Sequence, residues 1–393
     1  MPNPITVYLD SNDFSALSDP KQLTPELMVL GDRLSVLAQD DERVRFVYSS
    51  ASVCEMAPVQ ASSSEMAERR ATLLSKLCKR NALISFDRLV AGEQLQVSKR
   101  AGALFEPISG TGDWFPEMGG FMSPVDLASA LREKLSESKL GSNRKQRRAL
   151  ASSAFKRKLL NPAVVSAAVG SPDPAMMKEL LAEYPMRPED ASVLWDFVLG
   201  KASKSSAEHA FLESLRDPSW MMQWFERHHD RLLPIVAWLR DPAAKAEARL
   251  QAVFGRLQSA NSSNRGDPIK FLRGNQEKFI SELWADVYSR VTGGPVDVDG
   301  KAIAALSPGL NVAIRALYEV FVDAAVGNRQ FKTSDFVDIV HATYSPYVDI
   351  YRADKYMAPY ISRVVAPYGT TVVSKLTQLP EAIQRAVDRR APW

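Results

Sequence analysis

Residues 7–17, VYLDSNDFSAL, begin as a short apolar strand and end in a polar cluster that is led by Asp10. Asp and Ser side chains cap helix starts, so the cluster is typical of a strand followed directly by a helix. The end of a strand is also where open parallel α/β sheets bind their ligands. The segment therefore predicts a simple cap, or a site at a sheet edge if other acids converge on Asp10.

β-rich runs occur near the two ends of the chain and are separated by helical patterns, such as 25–39 with Thr24 as its cap and 336–344. The runs are 5–10, 43–50, 347–354 and 370–376, with 82–87 as a weaker candidate. Strands that alternate with helices predict a doubly wound parallel sheet.

The region from about 91 to 330 shows helical periodicity, and we predict no strand in it. The fold class expected is α/β, with the parallel sheet interrupted by a large all-α insertion. The predicted parts are residues 1–90, the insertion 91–308, and residues 309–393.

The composition argues against a membrane protein and against a disulfide-rich secreted protein. No run of eighteen apolar residues occurs, and no secretory signal is visible at the N-terminus, so we expect no membrane partner. Cys54 and Cys78 are the only cysteines and lack metal-type spacing. These features predict a reducing, cytoplasmic location.

Four acids fall where a predicted strand ends or the helix near it begins: Asp10, Glu55, Asp338 and Asp354. In a parallel sheet these positions share one edge, where four carboxylates repel one another unless a cation joins them. Oxygen ligands suit Mg²⁺ or Mn²⁺, so the pattern predicts a divalent metal site.

These residues resemble the PIN-domain nucleases over residues 1–57 and 331–376. The matching features are Asp10-x-Asn12, Ser52-x-x-Glu55, the helix start at Asp338, and the strand that ends on Asp354. The resemblance implies a PIN-like fold in which the four acids bind metal and cleave phosphodiester bonds, usually in RNA. The chain departs from the family at Arg352, where Thr or Ser is usual, and in the large insertion.

Other readings of single residues remain open. Asp10 alone fits a helix cap, Glu55 fits a first helical turn, and Asp335 fits a cap with Asp338 in capping-box position. We take Asn12, Asp335 and His341 as supporting residues, with Asp335 as a reserve ligand and a structural role equally open for His341. Asp349 lies at the other end of its strand and is expected outside the site.

Residues 141–160 carry seven Lys or Arg and no acid, whereas the net charge of the whole chain is only +3. A basic block of this kind predicts a nucleic-acid contact, with a solvated helix as the alternative. The contact residues expected are Arg144, Lys145, Arg147, Arg148, Lys156, Arg157 and Lys158.

Three functions compete. The first is a Mg²⁺- or Mn²⁺-dependent endoribonuclease, with RNA ahead of DNA as the substrate. The second is a phosphatase of the haloacid dehalogenase type, but that chemistry needs an acid where this chain has Asn12. The third is a non-catalytic protein whose helical insertion grips a partner. A protein inhibitor and self-association are left open.

Replacement of Arg144, Lys145, Arg147 and Arg148 by Ala should weaken RNA binding, because each lost phosphate contact lowers the salt dependence of affinity by about 0.7 in log–log slope. RNA affinity measured across a salt series tests this, with metal binding as the control. An unchanged slope would mean that the block is a solvated helix or a protein-docking surface.

Overall fold

The computed structural model describes the two ends of the chain and parts of its middle. The described residues are 3–58, 63–99, 106–116, 185–198, 201–228, 268–292, 300–325 and 332–390. Contacts divide the chain into a larger unit, formed by Met1–Pro116 with His229–Trp393, and a smaller unit, Glu117–His228. The basic block at 144–158 lies outside the described residues.

The larger unit is mixed α/β, mostly helical, and contains a parallel four-stranded sheet. The strands of the unit are β1 (Ile5–Tyr8), β2 (Val44–Val47), β3 (Ala82–Leu83), β4 (Ile108–Ser109), β5 (Ile350–Arg352) and β6 (Thr371–Val373). The parallel sheet has the order β2-β1-β5-β6. The prediction of one parallel sheet built from both ends of the chain is confirmed, with shorter strands than expected.

The other two strands pair antiparallel, Ala82 with Ser109 and Leu83 with Ile108. A bridge from Tyr48 to Ala82 places β3 beside the end of β2. Our prediction that the chain has no strand between 91 and 330 was therefore wrong at β4. A two-residue strand is too short to show the alternating pattern on which a strand prediction depends.

Helices of the larger unit surround the sheet. In chain order, those before residue 117 are α1 (Ser11–Ser18), α2 (Pro25–Leu37), α3 (Ser50–Met56), α4 (Ser64–Cys78) and α5 (Phe86–Lys99). The predicted cap of α2 is confirmed, because Thr24 Oγ1 accepts a hydrogen bond from Leu27 N at 3.2 Å. Thr24 followed by Pro25 is the sequence signal for this start.

The smaller unit is helical in its described residues and contains α6 (Pro188–Val198), α7 (Lys204–Leu215) and α8 (Pro218–Arg227). A buried polar contact joins two of these helices, since Arg187 and Ser214 both donate to Asp190. This unit is narrower than the insertion predicted at 91–308. The predicted boundary at 90 falls inside α5.

The larger unit resumes with further helices after residue 228. They are α9 (Pro268–Gly274), α10 (Gln276–Thr292), α11 (Gly300–Leu306), α12 (Pro308–Ala325), α13 (Thr333–Ala342), α14 (Ala358–Val365) and α15 (Leu379–Arg390). A helical cluster in which Trp284, Leu310 and Tyr318 are buried joins α10 to α12. These contacts explain why helices from the predicted insertion belong to the sheet unit.

One hydrophobic core joins the sheet to the helices that carry the candidate site. Tyr8 from β1 and Tyr351 from β5 stack with ring centroids 5.3 Å apart, and they pack with Val312 of α12 and Ile339 of α13. Adjacent parallel strands place both tyrosines at the same level of the sheet. Among the described helices, none is long and apolar enough to cross a membrane.

The start of α12 is held by a buried carboxylate. Glu93 of α5 accepts hydrogen bonds from Ser307 Oγ, Gly309 N, Leu310 N and the Tyr347 hydroxyl. Free N–H groups at a helix start need such acceptors, and burial without them would be costly. Glu93 therefore joins α5 to α12 as a structural residue.

Gly309→Ala should lower the free energy of unfolding by about 1–3 kcal/mol, the usual cost of overpacking. A Cβ at this position would lie 2.5 Å from Thr343 O and 2.6 Å from Glu93 Oε1. Chemical denaturation measures the effect. Gly110→Ala is the matched control, because a Cβ there meets nothing within 4 Å. Equal stability of the two variants would contradict the close packing.

Candidate functional site

The carboxyl edge of the parallel sheet forms a small acid-lined pocket. Its lining includes Asp10 after β1, Asp338 in α13 and Asp354 after β5, together with His341 and Arg352. The cavity volume is about 10 Å³, close to the space that one water molecule needs. Three of the four predicted acids thus line one pocket although they are far apart in sequence.

Asp10 and Asp354 each combine this position with a local structural role. Asp10 Oδ1 caps α1 and accepts from Asn12 N at 3.2 Å and from Ser11 Oγ at 3.2 Å. Asp354 Oδ1 accepts from Met357 N before α14. In each carboxylate Oδ1 accepts these bonds while the residue also lines the pocket. The cap reading and the site reading of Asp10 are therefore compatible.

Asp338 is the acid whose titration is most affected by its neighbours. Burial, as the largest cause, and the charges of Asp354, Asp10 and Glu55 together raise the pKa of Asp338 to about 8, against the opposing charge of His341. Carboxylates that share a site cannot all ionise without a compensating cation. A cation bound among the lining acids would therefore reduce the repulsion between their carboxylates.

Glu55 lies beside the pocket and is absent from its lining. Its Oε2 accepts from Ser11 Oγ and contacts His341 Nε2 at 3.0 Å. Burial raises the pKa of Glu55, but the charge and hydrogen bond of His341 and the hydrogen bond of Ser11 outweigh it, so the net pKa is lowered. Glu55 is thus held ionised against His341.

His341 is buried between Glu55 and the hydroxyl of Tyr8, which contacts Nδ1. Burial lowers the pKa of His341, yet the charge of Glu55 and its hydrogen bond raise it more, and Asp10 and Asp338 add to the rise. The Tyr8 hydroxyl also contacts Ser49 Oγ at 2.7 Å and Ser52 Oγ at 3.1 Å. His341 therefore links β1, α3 and α13 beside the acids.

Two supporting residues lie outside the pocket lining. Asn12 is exposed, and its backbone N–H donates a hydrogen bond to the capping side chain of Asp10. Asp335 is buried and accepts from Lys332 N at 2.8 Å at the start of α13. The capping-box position is thus held by Asp335, and our prediction that Asp338 has it was wrong because α13 begins two residues before Asp335.

Asp349 lies directly before β5, at the end of the strand opposite to Asp354, as expected. Its Oδ2 accepts from Thr6 N and Thr6 Oγ1, both at 2.7 Å, and its Oδ1 pairs with Arg390. These bonds join the start of β1 to the chain before β5. Asp349 serves the sheet and has no part in the acid pocket lining.

Sequence reasoning missed an ion pair at the pocket. Arg352 Nη2 lies 3.1 Å from Asp13 Oδ1, and the two side chains are only 12% and 3% exposed. Burial raises the pKa of Asp13 to about 7, against the lowering effect of Arg352. The available signal was Arg352 itself, which we had noted only as a departure from the PIN pattern.

The acids of the pocket have the chemistry of a hard-cation site but not its present geometry. In the described part of the chain, no group of three or more His, Cys, Asp or Glu side chains is arranged to hold a metal ion. The donor chemistry nevertheless fits a hard cation, since three carboxylates line one cavity and the pKa of one is raised by the others. Binding would require these side chains to turn towards a common point.

Comparisons of this chain with protein-family models, with curated proteins and with solved structures yield no match.

Asp338→Asn should stabilise the metal-free protein at pH 8 by roughly 1–3 kcal/mol. Because the pKa of Asp338 is raised from 3.8 to about 8, the folded chain binds this proton more tightly than the unfolded chain. Its contribution to the free energy of unfolding is then lost as pH rises from about 4 to about 8.

Urea denaturation at pH 5 and pH 8 measures this difference, with the exposed Asp388→Asn as control. The advantage of Asp338→Asn should be larger at pH 8 than at pH 5. If it is the same at both pH values, the carboxylates do not repel one another as described.

Proposed function

We propose that this protein is a PIN-like, metal-dependent nuclease, most simply an endoribonuclease, that hydrolyses phosphodiester bonds at the acid pocket. The observation that carries the proposal is the meeting of Asp10, Asp338 and Asp354 at the carboxyl edge of one parallel sheet. Acids from three separate elements share a cavity there, and burial together with the charges of the other acids raises the pKa of Asp338. A hard divalent cation supplies the charge that such a cluster needs.

A bound Mg²⁺ or Mn²⁺ would supply Lewis acidity to the phosphate and lower the pKa of a bound water. Asp10, Asp338 and Asp354 are the residues proposed to hold it. Three carboxylates are enough for one hard cation that keeps several of its waters, so we propose one metal for each chain.

The protein side chains have separate roles in the proposed reaction. Asp338 is the group proposed to receive the proton of the attacking water, because it lines the same cavity as Asp10 and Asp354. Glu55 is held by Ser11 and His341 beside the pocket, where it adds negative charge and fixes the imidazole. We propose Glu55 as a positioning group, or as a metal ligand after it turns away from His341.

Two observations weigh against the phosphatase alternative. That chemistry needs a second acid two residues after Asp10, and Asn12 is exposed and absent from the pocket lining. The non-catalytic binding protein is the remaining alternative. It predicts that replacement of a pocket acid leaves partner binding intact and that no cleavage occurs with metal.

Labelled RNA and DNA incubated with the full chain, with and without Mn²⁺, provide the test. Asp10→Asn should reduce cleavage by at least ~100-fold, a typical loss when one group that stabilises transition-state charge is removed. Asp388→Asn, at an exposed acid outside the pocket lining, is the control and should keep the activity. Calorimetric titration with Mn²⁺ should give one site in the unmodified chain and weaker binding in Asp10→Asn.

Absence of both cleavage and Mn²⁺ binding in the unmodified chain would reject the nuclease. Mn²⁺ binding without cleavage of either nucleic acid would favour the non-catalytic alternative.

A further inference from the structure

Arg352 places a permanent positive charge in the acid pocket. It is the last residue of β5 and lies two residues before Asp354. Among the described residues that line the pocket, it is the only Arg or Lys. Lys355 is close in sequence but exposed and outside the lining.

The guanidinium is fixed in place by protein contacts. Arg352 Nη2 pairs with Asp13 Oδ1 at 3.1 Å, and Nη1 donates to the carbonyl oxygen of Ala353. Asp13 Oδ2 in turn accepts from Asp10 N at 3.2 Å. The Arg352 side chain therefore loses its conformational entropy when the protein folds. A ligand that binds to it does not have to order it again.

Arg352 also keeps a donor that no protein group uses. A guanidinium has five N–H donors, and the contacts described above use only the two terminal nitrogens. Arg352 Nε is buried and has no hydrogen-bond acceptor in the described structure. An unpaired buried donor of this kind is costly, typically about 1–3 kcal/mol. A ligand oxygen that accepts from it would remove that cost.

The chemistry of the pocket calls for such a cation. A phosphodiester is an anion, and the acids that hold a metal repel it. Two-metal nucleases place a second cation at the reacting phosphate, whereas the three carboxylates here are proposed to hold one metal. Arginine is well suited to phosphate because its planar fork matches two phosphate oxygens.

We infer that Arg352 contacts the phosphodiester of the substrate and supplies the second positive charge of a site with one metal and one arginine. This inference depends on the proposed nuclease function. During hydrolysis the water oxygen bonds to phosphorus while the bond from phosphorus to the leaving oxygen breaks. The proton of the water passes to a pocket carboxylate, the leaving oxygen takes a proton from solvent, and Arg352 stays protonated throughout.

The decisive experiment compares Arg352→Gln with Asp13→Asn, because each breaks the same ion pair but only the first removes the cation. Arg352→Gln should lower kcat/KM with Mn²⁺ by at least ~100-fold, whereas Asp13→Asn should stay within about tenfold of the unmodified chain. Arg187→Gln and Asp190→Asn in the smaller unit are matched controls, since Arg187 Nε pairs with Asp190 Oδ2 at 2.6 Å. Both controls should keep the activity.

Binding to labelled RNA in the absence of metal gives a second readout. Loss of one phosphate contact should flatten the log–log salt dependence of affinity by about 0.7 in Arg352→Gln. Asp13→Asn retains Arg352, and Arg352→Lys retains a cation at the same position. Both variants should therefore keep the slope of the unmodified chain. Equal losses of activity and slope in Arg352→Gln and Asp13→Asn would show that the pair is only structural and would overturn the inference.

If Arg352→Gln does not fold, the double variant Asp13→Asn with Arg352→Gln replaces the ion pair by a neutral hydrogen-bonding pair. Its unfolding temperature should approach that of the unmodified chain, and its activity should remain at least ~100-fold lower. Full activity in this variant would overturn the inference. If the unmodified chain shows no cleavage, the nuclease proposal fails, and the salt slope alone decides whether Arg352 meets a phosphate.

Discussion

The two-sided pairing of β1 is the constraint on which the acid pocket depends. Val7 pairs with Phe46 of β2 on one side and with Ile350 of β5 on the other. All three strands run in the same direction, so their carboxyl ends meet at one edge. Without this pairing Asp10 and Asp354 would have no common edge. The insertion between the two halves of the sheet can be long because loop-closure cost rises only slowly with length.

The same edge concentrates charge, and the surrounding structure compensates only part of it. The acids Asp10, Asp338 and Asp354 line a cavity that contains one guanidinium and one imidazole. Arg352 is shared with buried Asp13, and His341 is shared with Glu55. Burial and the charges of the other acids together raise the pKa of Asp338 to about 8. This raised pKa is one of the observations that support the cation site proposed above.

The sequence predicted the sheet well because its strands are the apolar, β-branched runs at the two ends of the chain. The candidate acids could be found because they lie where strands end or helices begin. A parallel sheet brings such positions to one edge. The prediction failed at β4, because a strand of two residues carries no alternating pattern. The ion pair between Arg352 and Asp13 could not be predicted either, because an acid in a first helical turn is common and does not indicate a distant partner.

Capping and chemistry need not compete for the same carboxylate. Asp10 and Asp354 each use Oδ1 at a helix start, and this contact limits the rotation of the side chain. Capping therefore holds both carboxylates at the sheet edge where the pocket lies. Asp338 lies inside α13, where burial and the charge of Asp354 raise its pKa to about 8. The pocket thus joins two acids fixed by capping to one whose proton binding depends on its neighbours, and a cation bound among them would favour its ionised form.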